Sequence, residues 1–360
     1  MTLYLHGLGH FHPENEIDNA FLESLDIGTD NEWILERVGI RSRRTVLPLD
    51  YIRGTRNADV RAAAEASLYT AAQVGARAAE MAISRSGIDK AEIGMVIAGS
   101  SMPDYATPAE ACNIARELGL DVPAFDVNSA CTSFLMQIRV LSMMRPEALP
   151  PYVLIVVPEC ATKVVDYNDR ATAVLWGDGG AAAVVSARVR GPARLLGATA
   201  ASNPAGADKV VVPRTGHFTQ DGRAVQMFAV RKTAEVFEHL RDQFAENARN
   251  LHFVGHQANL RMLEAVCQRC EISAERHHSN VEWFGNTAAA SSASVISTRW
   301  DEWREKDDVA VVGVGGGLTW AGYLIRFDAA PDEARAKQSS LEENVTEHGG
   351  AAQSRPLESR

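Results

Sequence analysis

An α/β fold made of two similar halves is what the sequence predicts, and three features predict it. Short β-branched runs recur at residues 95–98, 152–157, 181–185, 253–254 and 309–312. Alanine-rich helical stretches lie between them. The alternation of strand and helix runs once before about residue 190 and again after it, which argues for helices packed on mainly buried sheets.

Each element has a local reason. Residues 59–85 are rich in alanine and other good helix formers and end at Ser86-Gly87, a stop signal. Further helices are predicted over 108–118, 133–144 and 232–250. The apolar runs are too short and too β-branched for helices and read as buried strands. Residues 191–207 are rich in glycine, proline and alanine and are read as a joint, giving an N-terminal half over 1–190 and a C-terminal half over 191–328. The division rests on element order. Residues 329–360 are polar, contain Gly349-Gly350 and have no apolar periodicity; a disordered tail is predicted there.

The 360 residues are 46% hydrophobic and 23% charged, which excludes a disordered or fibrous protein. Thirty-six Lys and Arg against 46 Asp and Glu leave a net charge of −10, a poor match for nucleic acid or anionic lipid. The five cysteines, 112, 131, 160, 267 and 270, are odd in number and widely spaced, so reduced thiols are expected. The N-terminus has no basic segment followed by an apolar run, and no stretch approaches 18 apolar residues. A cytoplasmic, unanchored enzyme is expected.

Three turns carry residues suited to chemistry. In residues 125–134, FDVNSACTSF, a short strand leads through small residues into a helix and puts Cys131 at the junction. The helix dipole there is expected to lower the thiol pKa; the alternative is a buried structural cysteine. His256 follows the strand-like Phe253-Val254 and precedes a helical stretch, and Asn286 sits in another turn, FGNTAAA. If the three converge, Cys131 is a covalent nucleophile, and neutral His256 and the Asn286 amide donate to a developing oxyanion; the alternative for His256 is a structural role. The glycines from Gly313 to Gly317 do not form a dinucleotide fingerprint, since an apolar run at 323–327 stands where a helix should open. They either let backbone approach a ligand and offer it an N–H, or form a plain turn. Cys267 and Cys270 lie in a helical pattern without a second pair, so no metal or redox site is expected. His6, His10 and His12 are read as surface or turn residues, and His277-His278 as solvated.

These motifs, with Asn31-Glu32-Trp33-Ile34, Asn168-Asp169-Arg170, Trp176-Gly177-Asp178-Gly179 and the closing VGGGLTWAGYLIRF, resemble the β-ketoacyl-acyl-carrier-protein synthase III family of the thiolase superfamily, over residues 1 to about 328. The resemblance implies a thiolase-like five-layered α-β-α-β-α fold of two pseudo-repeated halves, assembled as a homodimer. It implies acyl transfer from CoA or acyl carrier protein to Cys131, then decarboxylative condensation with a malonyl thioester, in fatty acid or specialised polyketide-type synthesis. It assigns His256 and Asn286 to the decarboxylation and the backbone N–H groups of Cys131 and Gly316 to an oxyanion hole. CoA thioesters are substrates, and neither a cofactor nor a metal is implied. Trp33 and Arg170 match the pair that sandwiches the CoA adenine, and Arg37 a position near its phosphates. Arg261 and Arg269 match the face offered to the carrier protein, with Arg41, Arg43 and Arg44 extending it. Thr107 matches an acyl-pocket position supplied by the partner subunit, where many relatives have a large aromatic; a primer longer than acetyl is expected. Two departures are the extra sequence at about 48–69 and Met227-Phe228-Ala229-Val230-Arg231 in place of a Gly-Asn segment. Two other readings stay open: an acyltransferase using the same acyl-cysteine on a non-malonyl acceptor, and a non-catalytic partner subunit.

Overall fold

A computed structural model describes residues 2–246 and 250–328. The tail expectation, on 329–360, falls outside the described residues. Nine strands form one mixed sheet: β1 (Tyr4–Phe11), β2 (Ile93–Ala98), β3 (Ala124–Asp126), β4 (Tyr152–Cys160), β5 (Asp178–Ser186), β6 (Ala193–Ser202), β7 (Leu251–Gly255), β8 (Asp308–Gly315) and β9 (Thr319–Phe327). Their order is β7-β8-β9-β6-β1-β5-β4-β2-β3.

The order contains a repetition. On one side, β1 pairs antiparallel with β5, β5 antiparallel with β4, β4 parallel with β2 and β2 parallel with β3. On the other side, β6 pairs antiparallel with β9, β9 antiparallel with β8, β8 parallel with β7, and Phe253 of β7 makes a parallel bridge to His277. A short antiparallel contact, Tyr4 with Arg194 and Leu5 with Ala193, joins the two sets.

Six helices complete the layers: α1 (Ala71–Ser86), α2 (Glu110–Leu118), α3 (Ser133–Met143), α4 (Gly222–Phe244), α5 (Leu260–Arg269) and α6 (Ser291–Thr298). α1 and α2 cover the outer face of the first strand set, and α4 with α5 the outer face of the second. α3 and α6 touch both sets and are the central layer. The result is the expected α-β-α-β-α stack. β4 and β5 are buried at all nine positions each, because helices lie on both faces. Gly9 of β1 sits where a Cβ would come within 2.0 Å of Ala78 O, so α1 can lie directly on the strand.

Several boundaries differ from expectation. The helix predicted over 59–85 divides into Val60–Ala66 and α1, because Thr70 makes a capping box with Gln73 and starts a new helix. The helix predicted over 232–250 starts ten residues earlier, capped by the Asp221 side chain, and ends at Phe244. The supposed joint at 191–207 contains β6, whose small side chains fit between neighbouring strands. The histidines also differ. His6 and His10 belong to β1, His6 packs edge-on against Tyr152, and His12 stacks on Phe284. His278 is buried, with Nε2 2.8 Å from His252 Nδ1. Arg43 does not extend a surface patch: it is fully buried and donates to Val174 O and Asn19 Oδ1.

These buried groups set a pH dependence of stability. Burial lowers the pKa of His10 and His256 to about 4, of His12 and His278 to about 3, and of His6, His252 and His277 below 6.5. Below pH 6.5 the unfolded chain takes up protons that these native rings refuse, so stability falls with acid. Burial raises Asp178 to about 6, Glu110 to about 7 and Glu159 to about 8. Their native forms hold protons that the unfolded carboxyls release, so this contribution is lost as pH rises through those values. Among the described residues the seven histidines outnumber the three carboxyls, and their effect fades as the unfolded rings lose their protons above pH 6.5. The carboxyls then prevail, joined at higher pH by the thiols of Cys131, Cys160, Cys267 and Cys270, which burial also raises. The melting temperature is expected to peak at about pH 7 and fall on both sides, as a calorimetric pH series would record.

Candidate active site

Cys131, His256 and Gly316 lie beyond the carboxyl ends of strands β3, β7 and β8, where open α/β sheets leave a crevice, and Asn286 follows a short helix, Val281–Phe284. After β3 the chain turns through Asn128 and Ala130 before α3 opens at Ser133. Ala130 takes a φ of +48°, uncommon for a side-chain-bearing residue, and Asn128 holds it there. Asn128 Oδ1 accepts from Ala130 N–H at 3.0 Å and from Ser133 O–H at 3.1 Å. Its amide donates to Ser100 O at 2.8 Å. The turn is tied to the β8–β9 connection by the Thr132 and Thr319 hydroxyls, 3.0 Å apart. Gly315 permits this: a Cβ there would stand 3.0 Å from Cys131 N.

Cys131 is 9% exposed. Burial and the nearby Glu159 carboxylate push its thiol up to about 12, while backbone hydrogen bonds from Cys131 and Gly316 act in the opposite direction. The expected acidified thiol is therefore corrected: exclusion of water costs the thiolate more than the helix end and two N–H groups return. At rest the group is a thiol.

His256 directly follows β7, and its N–H donates to Val312 O at 2.8 Å. With a pKa near 4 from burial alone, its ring is neutral at pH 7. Nδ1 lies 2.7 Å from Ser291 Oγ, which also accepts from Gln257 N–H at 3.2 Å. The Gln257 N–H takes one Oγ lone pair; where the Ser291 hydroxyl gives its proton to Nδ1, the single ring proton stands on Nε2. Asn286 is positioned by backbone bonds, its N–H to Leu175 O at 2.8 Å and its carbonyl from Gly177 N–H at 3.1 Å. Its Oδ1 accepts from Ala288 N–H at 2.9 Å, which leaves the NH₂ as the free end.

Cys131, His256, Asn286 and Gly316 line one cavity of about 60 Å³. The predicted convergence is thus present. Trp176 and Phe218 stack edge-on along its wall, and Val210 closes over Gly316 from the short hairpin of Val210–Val211 and Thr219–Gln220. Ser291 and this hairpin are the residues that sequence reasoning missed, and Trp176 stood there only as part of a motif, without a role. Ser291 lies four places beyond the FGNT motif, in a string of small residues without a distinguishing pattern; only its distance to His256 identifies it. Ser291→Ala is expected to leave the tautomer unfixed. A neutral hydrogen bond of about 0.5–1.5 kcal/mol corresponds to a fall of up to about tenfold in decarboxylation kcat with KM unchanged, measured as carbon dioxide release.

The other predicted residues lie outside the cavity. Arg170 stacks on Trp33 with Cζ 4.9 Å from the ring centroid and donates to Gly28 O at 2.5 Å; Arg37 lies 6.0 Å from the same ring. These three form one aromatic and cationic cluster, the two arginines exposed and Trp33 half-buried. Arg261 is partly committed, donating to Leu35 O and pairing with Glu264, whereas Arg269 is exposed on the same helix. Thr107 is exposed, and within one chain it does not reach the cavity. Met227 and Phe228 line a neighbouring groove with Leu318. Among the described residues no three His, Cys, Asp or Glu side chains group as a metal site, and no helix is long and apolar enough to cross a membrane.

Residues 125–204 match the family described as 3-oxoacyl-[acyl-carrier-protein] synthase III, and residues 248–327 match its C-terminal part. The β-ketoacyl-[acyl-carrier-protein] synthase III of a Sulfurovum species is 32% identical over 340 residues, 89% of this chain and 94% of the relative. Among solved structures, 3-oxoacyl-[acyl-carrier-protein] synthase III from Aquifex aeolicus superposes with a TM-score of 0.80 at 26% identity, covering 90% of this chain and all of the other. The priming β-ketosynthase from the R1128 polyketide biosynthetic pathway superposes with a TM-score of 0.78 at 27% identity, covering 91% and 97%.

Proposed function

The chain belongs to the 3-oxoacyl-[acyl-carrier-protein] synthase III family of condensing acyltransferases, and from that premise we propose how its own residues divide the reaction. Residues 1–190 supply the nucleophile and residues 191–328 the donors. The observation that carries this reading is the single cavity shared by Cys131, His256, Asn286 and Gly316. The Cys131 sulfur attacks the acyl thioester carbonyl, and the departing CoA sulfur takes the thiol proton. The tetrahedral oxyanion is held by the N–H groups of Cys131 and Gly316. A malonyl thioester, carried on acyl carrier protein, then loses carbon dioxide. Its enolate oxygen accepts from His256 Nε2–H and Asn286 Nδ2–H, both neutral donors. The enolate carbon bonds to the acyl carbon, the Cys131 sulfur leaves, and water returns its proton.

Trp33, Arg37 and Arg170 hold the CoA adenine and phosphates by stacking and charge. Arg269, with the uncommitted edge of Arg261, faces the acidic carrier protein. A homodimer across β3 is supported by that strand's place at the sheet edge and by Phe125, 36% exposed on it. Such a partner presents its Thr107 to the acyl end, where loss of a bulky aromatic leaves room for a primer longer than acetyl. The free thiols suit a reducing cytoplasm.

Intact-protein mass after incubation with acyl-CoAs from acetyl to dodecanoyl tests the reading. A stable adduct on Cys131 that disappears with carbon dioxide release on addition of malonyl-carrier protein is the expected result, and the best-accepted acyl group names the primer. An adduct that persists with the malonyl thioester present overturns the condensing step in favour of another acceptor.

A further inference from the structure

Glu159, the penultimate residue of β4, is fully buried beside the active site and takes no part in the steps above. Its Oε2 accepts from Ser101 N–H at 3.0 Å and from the Ser100 hydroxyl at 3.3 Å. Its Oε1 accepts from the Ser101 hydroxyl at 3.3 Å and from Ala289 N–H at 3.3 Å. All four donors are neutral, and they come from two segments far apart in the chain. A buried carboxyl is unfavourable unless its lone pairs are used. This one uses them to join the loop after β2 to the turn after Asn286.

Both segments lead to reacting groups. Ser100 O receives the Asn128 amide, and Asn128 fixes the Ala130 turn that presents Cys131. Ala289 follows Ala288, whose N–H holds Asn286 Oδ1. The two arms differ in what fastens them. The nucleophile turn is also fastened by Ser133 to Asn128 and by Thr132 to Thr319. On the other arm the Asn286 backbone is tied to Leu175 and Gly177, and in the segment just after it the Ala289 N–H donates to Glu159.

We propose that Glu159 is a positioning residue for decarboxylation: it holds the Asn286 turn in register with the Cys131 turn, so that the Asn286 amide meets the malonyl thioester oxygen. The inference rests on the role proposed for Asn286 above. Burial raises the carboxyl pKa to about 8, so near pH 7 it keeps its proton. In that form one of the two serine bonds reverses, the carboxyl O–H donating to the serine oxygen, since the other two neighbours are N–H donors. Both backbone N–H groups stay accepted. An amide at this position cannot do the same, because whichever way it turns, its NH₂ faces one of those N–H groups.

The test compares Glu159→Gln and Glu159→Asp with the unaltered enzyme. Acyl-Cys131 formation is followed by intact mass, carbon dioxide release from malonyl-carrier protein gives kcat and KM, and melting temperature reports folding. For Glu159→Gln, acylation is expected to stay within about threefold, while kcat for carbon dioxide release falls by about tenfold or more with KM within about twofold. Glu159→Asp, which keeps every acceptor but is one methylene shorter, should fall between. If Glu159→Gln does not fold, the Asp variant carries the same comparison. Equal losses in both half-reactions, or no loss in either, overturn the proposal. Absence of carbon dioxide release from the unaltered enzyme instead overturns the condensing reading, and this inference with it.

Discussion

Cys131→Ala is expected to abolish acylation: incubated with an acyl-CoA that loads the unaltered enzyme, the variant should show no mass increase on the peptide containing residue 131. The reaction needs a sulfur that attacks, is held as a thioester and leaves again, and no neighbouring side chain in the cavity can replace it. The thiol's high pKa makes the argument sharper. At pH 7 a thiol displaced to about 12 is almost wholly protonated, so the step depends on the entering thioester, whose departing sulfur accepts the proton. The N–H groups of Cys131 and Gly316 favour negative charge at this point whether it is on sulfur or on the tetrahedral oxygen. Cys112 is exposed and can be acylated adventitiously, so peptide mapping must accompany the intact mass. A Cys131→Ala protein still acylated within this cavity would sink the assignment. Its malonyl decarboxylation should persist, since His256 and Asn286 are untouched.

Much of this was legible in the sequence because strand ends carry local signals. The small-residue turn before Cys131 and the strand before His256 mark places where backbone leaves a sheet, the Gly-Asn turn at Asn286 marks the end of a short helix, and the fold brings those places together. The buried strands were legible because an apolar β-branched run buried on both faces has few other readings. What was hidden depends on contacts distant in sequence. β6 reads as a loop, since alanine, glycine and threonine have weak strand propensity; its place between β9 and β1 gives them their conformation. His12 and His278 look like surface residues until Phe284 and His252 are brought against them. The Cys131 pKa was misjudged because a helix end is visible in sequence, whereas the depth of burial and Glu159 are not. Ser291 and Glu159 have no motif at all. They are identified by the hydrogen bonds they accept, and those bonds cross between segments more than thirty residues apart.

Asn286→Asp separates the two half-reactions and is the second large effect expected. The side-chain oxygen that accepts Ala288 N–H at 2.9 Å is present in both residues, so the turn should keep its shape. What changes is the other arm, where an N–H donor becomes a carboxylate oxygen. The enolate formed on decarboxylation then loses one of its two donors, a change worth roughly 10² to 10³ in rate, and meets a like charge, at about 4 kcal/mol for 4 Å in a surrounding of effective dielectric 20. Carbon dioxide release should therefore fall by at least about 10²-fold. Asn286→Ala, which removes the donor without adding charge, should be less impaired. Acyl-Cys131 formation should be spared in both variants, because the proposed mechanism gives its oxyanion to the N–H groups of Cys131 and Gly316, on other segments. His256 cannot compensate, because its neutral ring has one proton and so offers one N–H. Intact-mass acylation run in parallel with carbon dioxide release decides the matter. Equal impairment of both half-reactions in Asn286→Asp would mean that Asn286 shapes the cavity as a whole, and the division of labour between the two donor pairs would have to be abandoned.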